Sequence, residues 1–315
     1  MTTFNEPQHQ TEEAARAWFE NLRWPEGVVC PHCGTVGRAY ARSKPGLYRC
    51  AEPECRKDFT VTTKSVMESS HIPLRLWAQA FTLLCSSKKG MSAHQVHRTL
   101  KITYKSAWFL CHRIREAMRT GGIGSMPPMG GEGKIVEADE TYYGRADDKK
   151  PHIRKRYTPY LKTGWKDKGS ARPIIALVER GGNVRTFHVA HADKVTVAKI
   201  VTDNISKESR LHTDESRLYL GADMHFASHE TVKHSIGEYV RGDVHTNSAE
   251  GYFSIFKRGM RGVYQHCGEK HLHRYLAEYD IRYNHRIKLG YNDGDRAALA
   301  VKGAADKRLT YRQPH

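Results

Sequence analysis

Ile135-Val-Glu-Ala-Asp139-Glu140-Thr-Tyr-Tyr143 is the stretch on which the reading of this chain turns. It follows a Gly/Pro-rich run, Thr120-Gly-Gly-Ile-Gly-Ser-Met-Pro-Pro-Met-Gly-Gly-Glu-Gly133, of the kind that separates domains. Before that run the apolar residues recur at helical spacing; after it the pattern is that of strands. Residues 134–143 read as one strand. Ile174 to Glu179 and Val184 to Val189 flank Arg180-Gly-Gly-Asn183, a hairpin turn signal. A helix over 195–205, a short strand over 209–213 and a further strand within 225–234 follow. One long helix starts near Asn247 and another covers about 269–287. This order predicts an α/β (α+β) unit over 134–290, a mixed five-stranded sheet flanked by helices. The loop over 145–172 is dense in Lys and Arg, and the tail over 291–315 reads as polar and irregular.

The first half divides into residues 1–70 and 71–120, with 121–133 as linker. Residues 11–23 read as an amphipathic helix with Ala14, Trp18 and Leu22 on one face. Cys30-Pro-His-Cys33 is followed after sixteen residues by Cys50-Ala-Glu-Pro-Glu-Cys55. Two paired thiols brought together by a short hairpin give the tetrahedral sulfur cage that one structural Zn²⁺ prefers. Gly34 suits the tight turn after the first pair. Over 73–119, Leu74, Trp77, Ala80, Phe81 and Leu84 form an apolar stripe. Ser92 and Thr103 are placed to cap two short helices carrying Val96 and Leu100, then Ala107, Leu110 and Ile114. The second helix also carries Lys105, His112, Arg113 and Arg115. Such a pair is either a DNA-binding helix-turn-helix or a plain helical hairpin, and periodicity alone does not choose.

Three acids sit where phosphodiester chemistry with divalent ions needs them: Asp139, Asp214 in Leu211-His-Thr-Asp-Glu215, and Glu250 in His245-Thr-Asn247-Ser-Ala-Glu250. Two strand aspartates and a helical glutamate can hold two Mg²⁺ (or Mn²⁺) ions, and an ion pair can clamp the attacking and leaving oxygens of a phosphate. Lys257, seven residues beyond Glu250, shares its helix face and can contact a phosphate. Asn247 and His245 lie close enough to the third acid to touch substrate. Duller readings exist for each: Asp139 as an exposed strand residue, Asp214 as a helix cap, Asn247 and Glu250 as a capping box. Farther on, Leu272, Leu276, Tyr279 and Tyr283 form a core stripe, while His273, Arg274, Arg282 and Arg286 are placed to face phosphates.

Composition agrees with a polyanionic partner. The 315 residues hold 51 Lys and Arg against 34 Asp and Glu, a net charge of +17. No run of eighteen apolar residues predicts a membrane span. The first twenty residues lack the pattern of a secretory signal, so a cytoplasmic site of action is expected. Seven cysteines, four of them clustered, suit metal ligation in a reducing compartment rather than a disulfide framework.

Taken together, these stretches resemble the bacterial insertion-sequence transposases with an amino-terminal zinc ribbon, relatives of the Merlin elements. Residues 30–34 (CPHCG), 48–50 (YRC) and 58–61 (DFTV) carry the ribbon, and 72–81 (IPLRLWAQAF) and 86–118 the helical region. Residues 136–144 (VEADETYYG), 212–216 (HTDES), 245–264 (HTNSAEGYFSIFKRGMRGVY) and 270–286 carry the rest. The resemblance spans roughly residues 12–288. It implies a ribonuclease H-like DDE transposase with Asp139, Asp214 and Glu250 as the triad, Lys257 as the basic residue beyond the third acid, and Cys30, Cys33, Cys50 and Cys55 as zinc ligands. It also implies terminal inverted repeats and target DNA as partners, and a homodimer or larger assembly on them. The chain departs from the family pattern in the wide second cysteine pair, in Lys64 and Gly251, and in Gln265 where histidine is usual. The competing functions are a domesticated DNA-binding protein without activity and a metal-dependent nuclease without strand transfer.

Overall fold

The computed structural model describes residues 4–119, 126–144 and 172–310. The cation-rich loop over 145–171 and residues 120–125 of the linker lie outside the described residues. The chain forms two compact units: Met1–Thr120 with Ala277–His315, and Gly121–Leu276.

In the first unit, helix α1 (Glu12–Arg23) starts at Thr11, whose hydroxyl accepts from Ala14 N. Its most buried face is Ala15 and Phe19, with Trp18 and Leu22 packed partly buried beside it. The stripe expected at Ala14 is thus rotated by one position. Three short antiparallel strands follow, β1 (Ala39–Ala41), β2 (Tyr48–Cys50) and β3 (Asp58–Phe59). Trp24, Tyr48 and Phe59 form an aromatic cluster with centroids 5.7–5.9 Å apart. Helix α2 (Leu74–Ser86) buries Trp77, Ala80, Phe81 and Leu84, as its periodicity predicts. Helices α3 (Ala93–Leu100) and α4 (Tyr104–Met118) are capped by Ser92 and Thr103 through Gln95 N and Ser106 N. Lys101 turns the chain between them in the left-handed region, at φ 54°.

The cations of α4 correct the sequence reading. His112, Arg113 and Arg115 are buried, so they do not face a duplex. Arg115 Nε donates to Glu278 at 2.5 Å, with both side chains almost wholly out of solvent. Arg113 donates to the carbonyls of Glu68 and Leu309 at 3.0 and 3.2 Å. The exposed residues of the pair are instead His94, Gln95, Arg98 and Thr99 on α3 and Lys101, Thr103, Tyr104 and Lys105 at the start of α4.

The tail is also not irregular throughout. Asn292 and Asp295 form a reciprocal capping box that opens a helix over Asp293–Lys302. That helix buries Ala297, Ala300 and Val301 in the core of Phe81, Leu84, Leu110 and Ile114. Gly303 ends it against Ala117, where a Cβ would stand 2.5 Å from the carbonyl oxygen.

In the second unit a five-stranded sheet runs β6-β5-β4-β7-β8. The strands are β4 (Ile135–Tyr143), β5 (Arg172–Glu179), β6 (Val184–His188), β7 (Arg210–Asp214) and β8 (Ser228–Val232). β4–β5 and β5–β6 pair antiparallel, whereas β4–β7 and β7–β8 pair parallel. Strand alternation sends Val136, Ala138 and Glu140 to one face and Glu137, Asp139, Thr141 and Tyr143 to the other. Helix α5 (Lys194–Asn204) covers the first face, packing Val197, Ile200 and Val201 on Val136, Ala138, Leu177 and Leu211. Helix α6 (Asn247–Gly259) lies on the second, where Phe256 meets the Tyr143 ring at 5.6 Å. The chain then passes through a π turn, Met260–Tyr264, to α7 (Leu272–Asn284).

On α7, Leu272, Leu276 and Tyr279 are buried as expected. Arg282 is not a phosphate-facing residue: it donates to the Leu84 carbonyl at 2.8 Å and pairs with Glu278. Arg286 lies over the Tyr283 ring at 4.2 Å.

Candidate active site and metal-binding cluster

The parallel pair β4–β7 locates the acids. Glu137 and His212 are register partners, the last pair between these strands. Asp139 and Asp214 each lie two residues farther along, on the same face and past the end of the pairing. Ligands in α/β sheets bind where parallel strands end and part.

Asp139 is half-buried, and its carboxyl is pushed up to about 7, first by burial and then by the charges of Asp214 and Glu140, with Glu250 adding a smaller push. Both other acids of the expected triad thus contribute to the Asp139 shift, Asp214 more than Glu250. Asp214, half-buried, accepts from Ser216 N at 3.0 Å and ends its strand. It thus directs the following turn rather than capping a regular α-helix. Glu250 stands in the first turn of α6, 47% exposed, with Thr246 Oγ1 at 3.4 Å and His234 Nε2 at 3.8 Å.

The capping box expected of Asn247 and Glu250 does not form. Thr246 is the cap residue, and Asn247 is already helical and exposed. Lys257 is half-buried along the same helix with Nζ 6.0 Å from the Phe253 ring. Burial lowers its ammonium pKa while the charge of Asp139 opposes that shift, so the two lie within each other's field.

Sequence reasoning missed the two glutamates of β4 that bond the elements carrying Asp214 and Glu250. Glu137 is fully buried. It accepts from Ser248 N at 2.7 Å, Ala249 N at 3.1 Å, Ser248 Oγ at 3.0 Å and Arg180 Nε at 2.9 Å. Glu140, on the opposite face, accepts from Ser216 Oγ and Tyr219 OH, both at 3.0 Å. Alternation along β4 could have placed Glu137 beside Asp139; nothing local could have named its partners.

The second cluster lies in the other unit. The Sγ atoms of Cys30, Cys33, Cys50 and Cys55 all lie within 4.8 Å of one another. Cys30 and Cys55 are 3.8 Å apart and Cys33 and Cys50 3.6 Å. A tetrahedral zinc with Zn–S bonds of about 2.3 Å requires sulfurs about 3.8 Å apart, so these thiols are positioned for zinc. Gly34 turns the first pair at φ 82°, its N–H on the Cys30 carbonyl at 2.8 Å. The wide second pair closes through Arg56 at φ 47°, with Cys55 N on Glu52 O at 3.0 Å. The Thr35 hydroxyl, 3.4 Å from Cys33 Sγ, helps draw that thiol down to about 6. Burial pushes Cys50 up to about 12. Among the described residues these four form the tight cluster of potential metal ligands.

Residues 130–284 match the family described as an ISXO2-like transposase domain, and residues 10–58 match a transposase zinc-ribbon domain. An uncharacterised protein in the transposable element ISH50 of Halobacterium salinarum is 30% identical over 289 residues, covering 86% of this chain and 90% of that protein. The chain belongs to the ISXO2-like transposase family. Among solved structures, a chain of a simian T-cell lymphotropic virus intasome bound to PP2A regulatory subunit B56 gamma aligns with 61% of this transposase and 69% of that chain. It is 12% identical with a TM-score of 0.30, too low to carry an argument. No helix among the described residues of this ISXO2-like chain is long and apolar enough to cross a membrane.

Proposed function

We propose that this protein excises and inserts an insertion sequence: it binds the terminal inverted repeats and cuts and joins DNA strands at Asp139, Asp214 and Glu250, in a ribonuclease H-like catalytic domain. The observation that carries the reading is the position of Asp139 and Asp214 on one face past the last β4–β7 pair, with Glu250 on α6 near enough to add to the Asp139 shift. A site that drives an aspartate up to about 7, first by burial and then by the charges of neighbouring carboxylates, is one that a divalent cation relieves. Asp139, Asp214 and Glu250 would hold the ions, carboxylate oxygens being the ligands that Mg²⁺ takes. Two Mg²⁺ (or Mn²⁺) ions, when bound, supply an activated water or 3′-hydroxyl and neutralise charge on the phosphate.

The chain's own groups do the rest. Asp139, in the middle of β4, and Asp214, the last residue of β7, offer their carboxylates from one face of the sheet, each two residues past the last β4–β7 pair. Glu250 closes the site from α6, and Lys257, two turns on, meets a phosphate as a fixed charge. Asn247, exposed at the first helical position, is free to touch the strand being cut. His94, Arg98, Lys101 and Lys105 form the exposed basic end of the α3–α4 pair and contact the terminal repeats, with the start of α4 toward the groove. One Zn²⁺ on Cys30, Cys33, Cys50 and Cys55 holds the ribbon folded. Synapsis of two ends requires a dimer or larger assembly on DNA.

Incubation with terminal-repeat DNA and Mg²⁺ tests the reading. Wild-type protein yields both cut and joined strands, and Asp139→Asn binds the same DNA but yields neither. Cut strands alone reduce the protein to a nuclease; equal binding with no cleavage by either makes it a DNA-binding protein.

A further inference from the structure

We propose that β4 is the jig of the active site: Glu137 fixes the helix that carries Glu250, and Glu140 fixes the turn that follows Asp214, so both carboxylates flanking Asp139 are positioning residues for the other two acids. The inference rests on reading Asp139, Asp214 and Glu250 as one metal-holding site.

Glu137 is a fully buried carboxylate, which is tolerable only when its charge is answered. The answer comes mainly from the first turn of α6, a helix whose own cap residue, Thr246, makes no side-chain cap bond. Glu137 supplies that cap from another strand, accepting the free N–H groups of Ser248 and Ala249 at 2.7 and 3.1 Å. Glu250 is the next residue. The path from Asp139 to Glu250 is therefore two strand residues, one buried carboxylate and one turn of helix, with no flexible segment in it. Arg180 braces the joint from the β5–β6 turn. It donates to Glu137 at 2.9 Å and to the carbonyls of Asp243 and His245, which lead into α6, at 2.8 and 3.2 Å. His212, the register partner of Glu137, has Nδ1 3.4 Å from the same guanidinium.

Glu140 repeats the device on the opposite face. Ser216 gives its N–H to Asp214 at 3.0 Å and its hydroxyl to Glu140 at 3.0 Å, so one serine ties the two acids together. The buried Tyr219 donates its hydroxyl to the other Glu140 oxygen at 3.0 Å. The turn after Asp214 is thus anchored to β4 one residue beyond Asp139. Three mutually repelling carboxylates do not gather unaided; these two tethers hold the elements that carry them.

Outer groups that orient metal ligands typically change metal affinity or activity by about 10- to 100-fold. The test is Mn²⁺ binding by the zinc-loaded full chain, followed by the electron paramagnetic resonance of free Mn²⁺, for wild type, Glu137→Gln, Ser248→Ala and Tyr219→Phe. Thermal melts of the zinc-loaded chain without added Mn²⁺ or Mg²⁺ show which variants are folded at the binding temperature. Glu137→Gln is expected to weaken Mn²⁺ by about 10- to 100-fold. Ser248→Ala and Tyr219→Phe each remove one hydroxyl and leave every carboxylate in place, and a several-fold weakening is expected of each. The Mg²⁺ concentration for half-maximal cleavage shifts in parallel, while DNA affinity of the zinc-loaded chain without added Mg²⁺ stays at the wild-type value. If Glu137→Gln does not fold, the other two variants decide. Lowered melts with wild-type Mn²⁺ affinity and Mg²⁺ response in the folded variants overturn the proposal and leave the transposase reading intact. Wild-type protein that binds Mn²⁺ but does not cut DNA, with weakened binding in the variants, supports the jig and removes the activity. Wild-type protein that binds no Mn²⁺ overturns both.

Discussion

The thiol cluster and the carboxylate site handle like ligands in opposite ways. The four thiols come from one short ribbon, and their sulfurs already stand within 4.8 Å of one another, at the spacing one enclosed ion needs. The three acids come from two strands and a distant helix and leave Glu250 47% exposed. A structural site closes around its ion, whereas a reactive one must leave room for substrate oxygens. The thiols need no other scaffold than their hairpins. The acids come from separate elements, and Glu137 and Glu140 of β4 bond the start of α6 and the turn after Asp214.

The largest contrast should appear on removing the metal from the ribbon. Zinc supplies on the order of 10–16 kcal/mol of apparent folding energy to small ribbons of this kind. Cys50→Ser, or strong chelation, should therefore unfold residues 28–63, seen as lost amide protection there. Sheet strands β4 and β7 should keep theirs. Loss of protection in both regions would erase the distinction.

Next in size, Asp139→Asn should reduce strand cleavage by roughly a thousandfold or more, the worth of several kcal/mol of ion-mediated charge stabilisation. Zinc content should stay at one per chain, measured by elemental analysis beside the product gel. A zinc change would mean that the two sites are not independent.

Protonation sharpens the comparison further. The Asp139 carboxyl is held near 7 in the fold against its ordinary 3.8, so the folded state binds the proton more tightly. Its contribution favours folding at low pH and is lost as pH rises from about 4 through about 7. Mg²⁺ should cancel that loss. Calorimetry of Mg²⁺ binding should show proton release near pH 6 and almost none near pH 8.5. Equal proton release at both values would place the ion elsewhere.

Smallest are two backbone effects, one in each region. Lys64, just after the ribbon, sits at φ 49°, where glycine carries no steric penalty. Lys64→Gly should stabilise by about 1 kcal/mol. Gly251 is an exposed helical residue next to Glu250, and a Cβ there meets nothing within 4 Å. Gly251→Ala should add about 0.5–1 kcal/mol with cleavage unchanged. Denaturant midpoints measure both, and a destabilised Lys64→Gly would show that its side chain does more than tolerate the turn.

What was legible in the sequence follows physical range. Ser92 and Thr103 cap the helices their neighbours predict, because capping is settled within three residues. The five strands and the cysteine pairs were likewise readable from local pattern. Arg113, Arg115 and Arg282 looked like surface cations because their partners, at Glu68, Leu309, Glu278 and Leu84, are brought to them only by folding. The helix over Asp293–Lys302 was hidden by small alanines among charges, although the capping box of Asn292 and Asp295 was there to be read. Glu137 looked like any strand glutamate, since its meaning lies in Ser248 and Arg180.

Anomalous diffraction from crystals of the zinc-loaded protein soaked in Mn²⁺ addresses the central claim most directly. Two manganese peaks are predicted about 3.5–4 Å apart, one ligated by Asp139 with Asp214 and the other by Asp139 with Glu250. Manganese bound away from the parting of β4 and β7, or no manganese at these three carboxylates, would contradict the account.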